Sequence, residues 1–427
     1  MSRSRAVVLA LSVTFVAGLF LVLPRLGAQE RSKDGRDGLY GPLGLFTEVL
    51  TLVRSNYVEP VEVQPLLSGA FAGMTEAMDP FSEYVPPERM KDFREATEAA
   101  KAPGVVDSGV VLARRFGYPV VVAAAAGSPA AAAGLKSDDL IERIGERPTR
   151  SMALWDVAGR LSGKAGSRVS LRIVRDGGKP RHRNVELVLG AWSPEAPSLT
   201  RAEGEVVVRI PGFGDGTADK VRSLLAPLDR SRAILIDVRG AASGSFDEAA
   251  RVAALFAPPG PVGELKGKRI EGRKWSAAPG ERVHEGRTVV LVDSGTAGAA
   301  ELFAAAVRGG TPAAGGAEGT GGEEGAPEPV PTPSPDAKAA EWRSKLVGEP
   351  TFGMGAVQQV VALSSGGALR ISVGKVHGPS GRPLSPRGLA PDERVYPVPE
   401  VESPNPPDQI LKRGLKLLAS VPAPAAS

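Results

Sequence analysis

The sequence predicts a multidomain α/β protein whose main body contains a largely parallel sheet. Its 427 residues exceed what one hydrophobic core ordinarily accommodates, so we expect two or three domains. From residue 206 to residue 307, dense β-branched runs alternate with helical patterns, which implies crossover connections between parallel strands. A link that contains two prolines, Ala191–Pro197, separates this body from the region before it.

The first 30 residues carry the pattern of an export signal. Arg3 and Arg5 precede the apolar run Ala6–Leu23, and Leu26–Ala28 offers a small-residue cleavage site. The run is also just long enough to span a bilayer, with its basic end in the cytoplasm. We therefore expect an exported protein, which is either periplasmic after cleavage or tethered to the inner membrane through residues 6–23 and facing the periplasm.

Residues 40–100 are predicted to be helical. Apolar residues recur at helical spacing from Leu45 to Val53, and a second helical run extends from Leu66 to Met78. The second run ends at an Asp-Pro turn, Asp79–Tyr84. We expect this turn to be rigid and to pack the helices against the main body.

The composition excludes several classes of function. The densest basic stretch, Lys164–Arg183, alternates in the manner of a strand, so we expect no nucleic-acid partner. The absence of cysteine excludes disulfides, thiol catalysis and thiolate metal sites. The three histidines, His182, His284 and His377, lie far apart without acidic partners at ligand spacing, so we expect no metal site, no cofactor and no Ser-His-Asp triad.

Residues 103–190 resemble a PDZ domain, most clearly over the segment Ala126–Gly145. The resemblance implies that an extended peptide adds to an open sheet edge, where a turn of backbone N–H groups captures its terminal carboxylate. That turn would be Asp107–Val111, and the facing helix would be Ser151–Leu161. The peptide-binding residues implied by this resemblance are Ser108, Gly109, Val110, Val111, Leu154, Val157, Ala158 and Leu161. Alternatively, the four helix residues only close the domain's own core.

Residues 198–400 form the predicted α/β body, and residues 401–427 a C-terminal helix and tail. The predicted strands of the body are Val206–Ile210, Ala233–Val238 and Thr288–Val292. The predicted helices are Thr217–Leu228, Asp247–Phe256 and Ala300–Val307. Within the body, residues 309–338 are rich in Gly, Ala, Pro and Glu, and only Val330 is large and apolar. We predict a disordered insertion there, because such a segment cannot offset its ordering entropy.

Two segments of the body, Asp293–Glu301 and Gly348–Gln359, carry the strongest functional signal. Both resemble the active-site segments of the carboxy-terminal processing peptidases, also called tail-specific proteases, which use a Ser/Lys dyad. The closing segment His377–Asp392 is similar to that family as well. The resemblance implies the peptidase fold for the body and a PDZ domain before it.

The positions that would carry the peptidase chemistry have changed. A Ser/Lys peptidase needs a serine hydroxyl, a lysine that can be neutral near pH 7, and N–H groups that face the developing oxyanion. By the resemblance, the nucleophile position is Gly298 and the base position is Met354, while Gln358 is retained. The equivalents of the oxyanion turn are Ser243 and Gly244. We therefore expect no intact catalytic residue.

Three functions remain open at this stage, and the sequence leaves the oligomeric state open as well. The favoured one is an exported, non-catalytic adaptor or scaffold that binds protein C-termini or extended peptides. The second is an active serine-type endopeptidase with an unrecognised nucleophile among Thr296, Ser294, Ser243 and Ser245, and with Lys345 as its base. It is disfavoured because a hydroxyl displaced by even ~1 Å can lose about 10²-fold in rate. The third is a structural envelope component whose PDZ groove is filled internally.

Overall fold

The computed structural model describes residues 37–99, 102–176, 180–309, 344–397 and 407–419. The expected export signal, nearly all of the expected insertion and the C-terminal tail lie outside the described residues. The chain divides between Leu67 and Ser68 into two compact units. Within the described part of the chain, every helix is too short or too polar to cross a bilayer.

The first unit contains helix α1, Asp37–Asn56. Helix α2, Val63–Glu76, begins in the first unit and ends in the second. Apolar side chains of α1 are at least half exposed, namely Tyr40, Leu43, Leu45, Val49 and Leu52.

The second unit begins with the end of α2 and continues through a turn, a strand and a helix into the PDZ-like region. Strand β1 is Glu83–Val85, and helix α3 is Met90–Ala99. The next elements in chain order are β2 Val105–Asp107, β3 Val110–Arg115, β4 Tyr118–Ala124, α4 Pro129–Ala132, β5 Leu140–Ile144, β6 Arg147–Pro148, α5 Leu154–Arg160, β7 Ser162–Lys164, β8 Arg168–Asp176 and β9 Pro180–Val188.

These PDZ-like elements form an antiparallel sheet in the order β3-β4-β5-β8-β9, with β6 paired to β5 and a separate β2-β7 pair. Its core is built from side chains such as Val121, Ile141, Leu171 and Leu187. Helix α5 begins three residues later than the predicted helix Ser151–Leu161. The reason is local, because Ser151 has a φ of 61° and Ala153 is extended, and neither conformation belongs to a right-handed helix.

The body follows as ten strands and four helices within the described ranges. They are β10 Ser198–Ala202, β11 Glu205–Arg209, α6 Thr217–Leu225, β12 Ile234–Asp237, α7 Phe246–Ala254, β13 Gly260–Gly267, β14 Arg273–Ala277, β15 Thr288–Val292, α8 Ala299–Arg308, β16 Ser344–Gly348, β17 Ala356–Ala362, β18 Ala368–His377, β19 Glu393–Arg394 and α9 Gln409–Ala419.

The main sheet has the order β10-β11-β12-β15-β16-β19. Only β10 runs antiparallel to its neighbour, so the expectation of a largely parallel sheet is confirmed. Side chains of alternate residues point to opposite faces of the sheet. Ile234 and Ile236 pack with α6, α7 and α8, whereas Leu235 packs with α9. Both faces of the central strands are therefore covered, which explains their continuous apolar runs.

A second sheet has the order β1-β18-β13-β14, and β17 also pairs with β18. Strand β1 comes from the segment that precedes the PDZ-like region, and Glu83 lies opposite Arg370 of β18. This segment therefore pairs with the body through β1, whereas the expected packing of the helices by the turn at Asp79–Tyr84 stays a prediction.

Candidate functional site

The first active-site segment forms the turn between β15 and α8. Gly298 is the residue before α8, and its φ of 60° and ψ of −114° lie in a region that side-chain-bearing residues rarely adopt. Thr296 stabilises the turn, because its Oγ1 lies 2.9 Å from Asp293 Oδ1 and accepts a hydrogen bond from the Asp293 N–H at 3.0 Å. Glycine adopts this conformation without strain, whereas a residue with a side chain would be strained at this position.

The carboxylate of Glu301 joins this turn to the second segment. It is fully buried and accepts hydrogen bonds from the N–H groups of Gly298 (2.9 Å), Gly353 (2.7 Å) and Met354 (2.8 Å), and from the Thr351 hydroxyl. Burial raises the pKa of Glu301 to about 7, and the four donors oppose this rise. One side chain therefore holds the two segments in register.

Met354 occupies the space in front of Gly298. Its Cε would lie 3.2 Å from a Cβ placed on Gly298. Met354 also packs against an apolar cluster that includes Phe81, Ala242 and Ala297. The position expected for a basic amine is therefore a thioether in apolar surroundings, which can neither donate nor take up a proton.

Gln358 lies in β17 beside an irregularity in its pairing with β18. Its Nε2 is buried and has no hydrogen-bond partner among the described residues. A buried donor without a partner is unfavourable. By the resemblance, a glutamine here assists the lysine base, and Met354 leaves Gln358 no amine to orient.

The two residues proposed for the oxyanion turn lie against Phe213. The Ser243 carbonyl accepts a hydrogen bond from the Phe213 N–H at 2.9 Å, and Gly244 pairs with Phe213. The neighbouring Ala241 makes the contact with the nucleophile turn, because its carbonyl accepts a bond from the Ala297 N–H at 2.9 Å. Ala241 is not among the residues that the sequence indicates for this turn.

The alternative nucleophiles have structural roles. Thr296 is fully buried within its turn, and Ser245 caps α7 by accepting a hydrogen bond from the Glu248 N–H. Lys345 lies opposite Val289, near the start of β15, whereas Gly298 follows the end of that strand. Because strands rise about 3.3 Å per residue, Lys345 lies at the amino-terminal end of the parallel strands, whereas Gly298 lies beyond their carboxy-terminal end.

Two hydroxyls remain. The Ser243 Oγ lies beside Gly212, 2.5 Å from where a Cβ on that glycine would stand, and Ser294 has acidic surroundings. Burial together with the charge of Asp293 raises the pKa of the neighbouring Glu349 to about 7, and the backbone N–H of Ser294 opposes this rise. This contact uses the backbone of Ser294 and does not orient its hydroxyl. Among the described residues, no group of three or more His, Asp or Glu side chains is placed to hold a metal ion.

The peptide-binding turn expected at Asp107–Val111 lies at the start of β3. Gly109 has a φ of 75°, and a Cβ there would lie 2.2 Å from the Ser128 Cβ, so only glycine fits. The Gly109 N–H donates to the Asp107 carboxylate at 2.7 Å, and the buried Ser108 accepts from the Ala130 N–H through its carbonyl. The Asp107 carboxylate therefore already accepts a hydrogen bond from one of the backbone N–H groups of this turn.

The other predicted groove residues lie on helix α5 or on strand β3. Val157 and Leu161 belong to the domain core, as the alternative interpretation holds for all four helix residues, and Leu154 is also buried. Ala158 is exposed. On β3, Val110 packs towards that core while Val111 packs towards Met354 and Phe81.

Strand β3 pairs only with β4, so the other edge of β3 has no strand against it in the described part of the chain. An extended peptide adds to a sheet at such an edge. The edge and the turn therefore form one continuous backbone surface.

Comparison with known proteins identifies both regions. The model of peptidase family S41 matches residues 206–340 and 336–395, and a PDZ domain model matches residues 120–175. The carboxy-terminal-processing protease of Bartonella bacilliformis is 26% identical over 399 residues, which cover 91% of this chain and 83% of that protein. The carboxy-terminal processing protease CtpA of Bacillus subtilis is 26% identical over 356 residues, which cover 80% of this chain and 66% of that protein.

A solved structure shows the same fold. The photosystem II D1 C-terminal processing protease has a TM-score of 0.59 and 23% sequence identity, and the match covers 89% of this chain and 92% of that one. At this identity the match shows the architecture alone.

We expect Glu301→Gln to lower the free energy of unfolding by about 2–3 kcal/mol, because an amide presents one acceptor oxygen to four donors. Urea unfolding followed by circular dichroism measures the loss. The control is Glu285→Gln, which removes a half-exposed partner of Arg230 and should cost no more than about 0.5 kcal/mol. Equal losses in the two variants would contradict the joining role of Glu301.

Proposed function

The chain belongs to the carboxy-terminal processing peptidases of family S41, and we propose that it is a non-catalytic member that binds protein C-termini or extended peptides. In this proposal it serves as an adaptor or scaffold outside the cytoplasm. Export is supported by the N-terminal sequence pattern, in which Arg3 and Arg5 precede the apolar run Ala6–Leu23.

The observation that carries the loss of catalysis is the contact between the two dyad positions. Met354 reaches the space in front of Gly298, where a serine side chain and a lysine amine would have to meet. Neither residue can act as nucleophile or base. Because Glu301 fixes the register of both segments, the pairing of these two positions does not depend on a shifted alignment.

Two features of the PDZ-like region support the proposed peptide binding. Strand β3 has an edge without a paired strand, and Gly109 provides the tight turn at its start. Backbone groups supply most of the affinity in this mode of recognition, so it survives the loss of catalytic side chains elsewhere. Peptidase activity through another nucleophile has no comparable support, since Thr296 and Ser245 already serve as turn and cap residues.

We expect the double variant Gly298→Ser with Met354→Lys to regain little peptidase activity. The new serine must adopt a φ of 60°. By the resemblance, the family has an asparagine and a glycine in its oxyanion turn where this chain has Ala241 and Ser243. The assay follows cleavage of an unfolded protein with an apolar C-terminus, and Gly298→Ala with Met354→Lys is the matched control. Robust cleavage by the Gly298→Ser, Met354→Lys variant, with none by the Gly298→Ala control, would show that the scaffold is still competent for catalysis.

We expect Asp107→Asn to tighten the binding of peptides with a free C-terminal carboxylate by about fivefold. The substitution keeps an acceptor for the Gly109 N–H and removes a negative charge, which repels a second carboxylate ~4 Å away by about 1 kcal/mol in water. Fluorescence anisotropy on the full chain measures the dissociation constants at low salt.

The matched probes are the same peptides with an amidated C-terminus, whose affinity should not change in Asp107→Asn. An equal gain for both kinds of peptide would contradict a carboxylate site at this turn. Absence of binding by either protein at millimolar peptide would contradict the proposed function itself.

A further inference from the structure

The edge of β3 is free along only part of its length. The Arg114 N–H, near the end of the strand, donates to the Pro80 carbonyl at 2.9 Å. Backbone N–H groups that point away from β4 are the donors that an added peptide strand must use. At Arg114 this donor is already taken by the segment that precedes the PDZ-like region.

The side chain of Arg114 closes the groove at the same end of β3. Its guanidinium donates to the Gly117 carbonyl at 3.2 Å and to the Met152 carbonyl at 2.7 Å. Met152 lies just before α5, the helix that faces β3. The guanidinium therefore crosses from the end of the strand to the start of the helix.

The start of α5 is tied to the same N-terminal segment. The Leu154 N–H, in the first turn of the helix, donates to the buried Glu83 carboxylate at 2.8 Å. Glu83 belongs to β1, which pairs with β18 of the body. Both walls of the groove are thus fixed to residues 79–85 at the end away from the carboxylate turn.

The segment formed by residues 79–85 is firmly anchored. The Asp79 carboxylate accepts hydrogen bonds from the N–H groups of Phe81 and Ser82 at 2.9 and 2.7 Å. The Phe81 side chain is buried against Ala113 and Val122. Moving the segment aside would expose a buried aromatic ring and break the β1–β18 pairing, so a ligand strand is not expected to displace it.

We propose that the groove accepts only about the last three residues of a free C-terminal tail, and this rests on the proposed peptide-binding function. A ligand whose carboxylate sits at Ser108–Val110 runs antiparallel to β3, and alternate strand residues, here Val110, Leu112 and then Arg114, face it. The first two positions remain for pairing and the third does not. The ligand chain must therefore turn away in front of Pro80.

This geometry selects the kind of partner. An internal extended segment needs an exit at both ends of the groove, and the far end is closed by Pro80 and the Arg114 guanidinium. A flexible C-terminal tail needs only one exit. The expected partners are therefore proteins with an accessible carboxyl terminus, read through its last three residues.

Nested peptides test this footprint. A library with varied final residues supplies the tightest-binding sequence, which is then made at three, four, six and ten residues with Gly and Ser extensions. Anisotropy titrations of the full chain should give dissociation constants that change by less than about threefold from four to ten residues. In hydrogen–deuterium exchange with saturating ten-residue peptide, the Leu112 amide should gain protection, whereas the Arg114 amide should be protected from the start and unchanged.

Two results would overturn the inference in distinguishable ways. Tightening of tenfold or more from four to ten residues, with altered exchange at Arg114, would show that the ligand displaces Pro80, and it would leave the proposed peptide binding intact. Absence of binding at every length would remove the proposed function and this inference together.

Discussion

The buried carboxylate of Glu301 determines the geometry of the candidate site. Its oxygens accept three backbone N–H bonds and one hydroxyl bond, and these come from the turn before α8 and from the segment that leads into β17. A buried carboxylate is stable only when its acceptors are used in this way. These bonds involve backbone groups and Thr351, and none of them uses a side chain at position 298 or 354. The arrangement of the two segments therefore does not require a serine at position 298 or a lysine at position 354.

At the same site, Met354 lies at the position where the resemblance places the lysine base. Met354 has nearly the length of lysine and packs with Phe81, Ala242 and Ala297, so the position is occupied by an apolar side chain instead of a buried amine. Burying an amine without a partner is costly, whereas a thioether in the same place contributes packing. Phe81 belongs to the segment that also closes the far end of the peptide groove, so the apolar site and the restricted groove share one structural support.

The sequence predicted those parts of the molecule that depend on local pattern. Thr288–Val292 is the strand that its β-branched run indicates, and the flanking Glu301 and Thr351 give the register in which Gly298 and Met354 meet. What the sequence did not predict depends on contacts between distant residues. The bond from Arg114 to Pro80 joins two segments that share no pattern. The late start of α5 depends on the positive φ of Ser151, which is not a residue type that usually signals it.

If the chain is non-catalytic, as we propose, no nucleophile operates in this fold. The most direct measurement treats the purified chain with a fluorophosphonate probe and an unfolded protein substrate, and it maps labelled and cleaved residues by mass spectrometry. We predict no labelled serine or threonine within residues 237–301 and no cleavage of the substrate. Labelling of Ser294 or Thr296, together with cleavage that is lost in Ser294→Ala or Thr296→Val, would contradict the account.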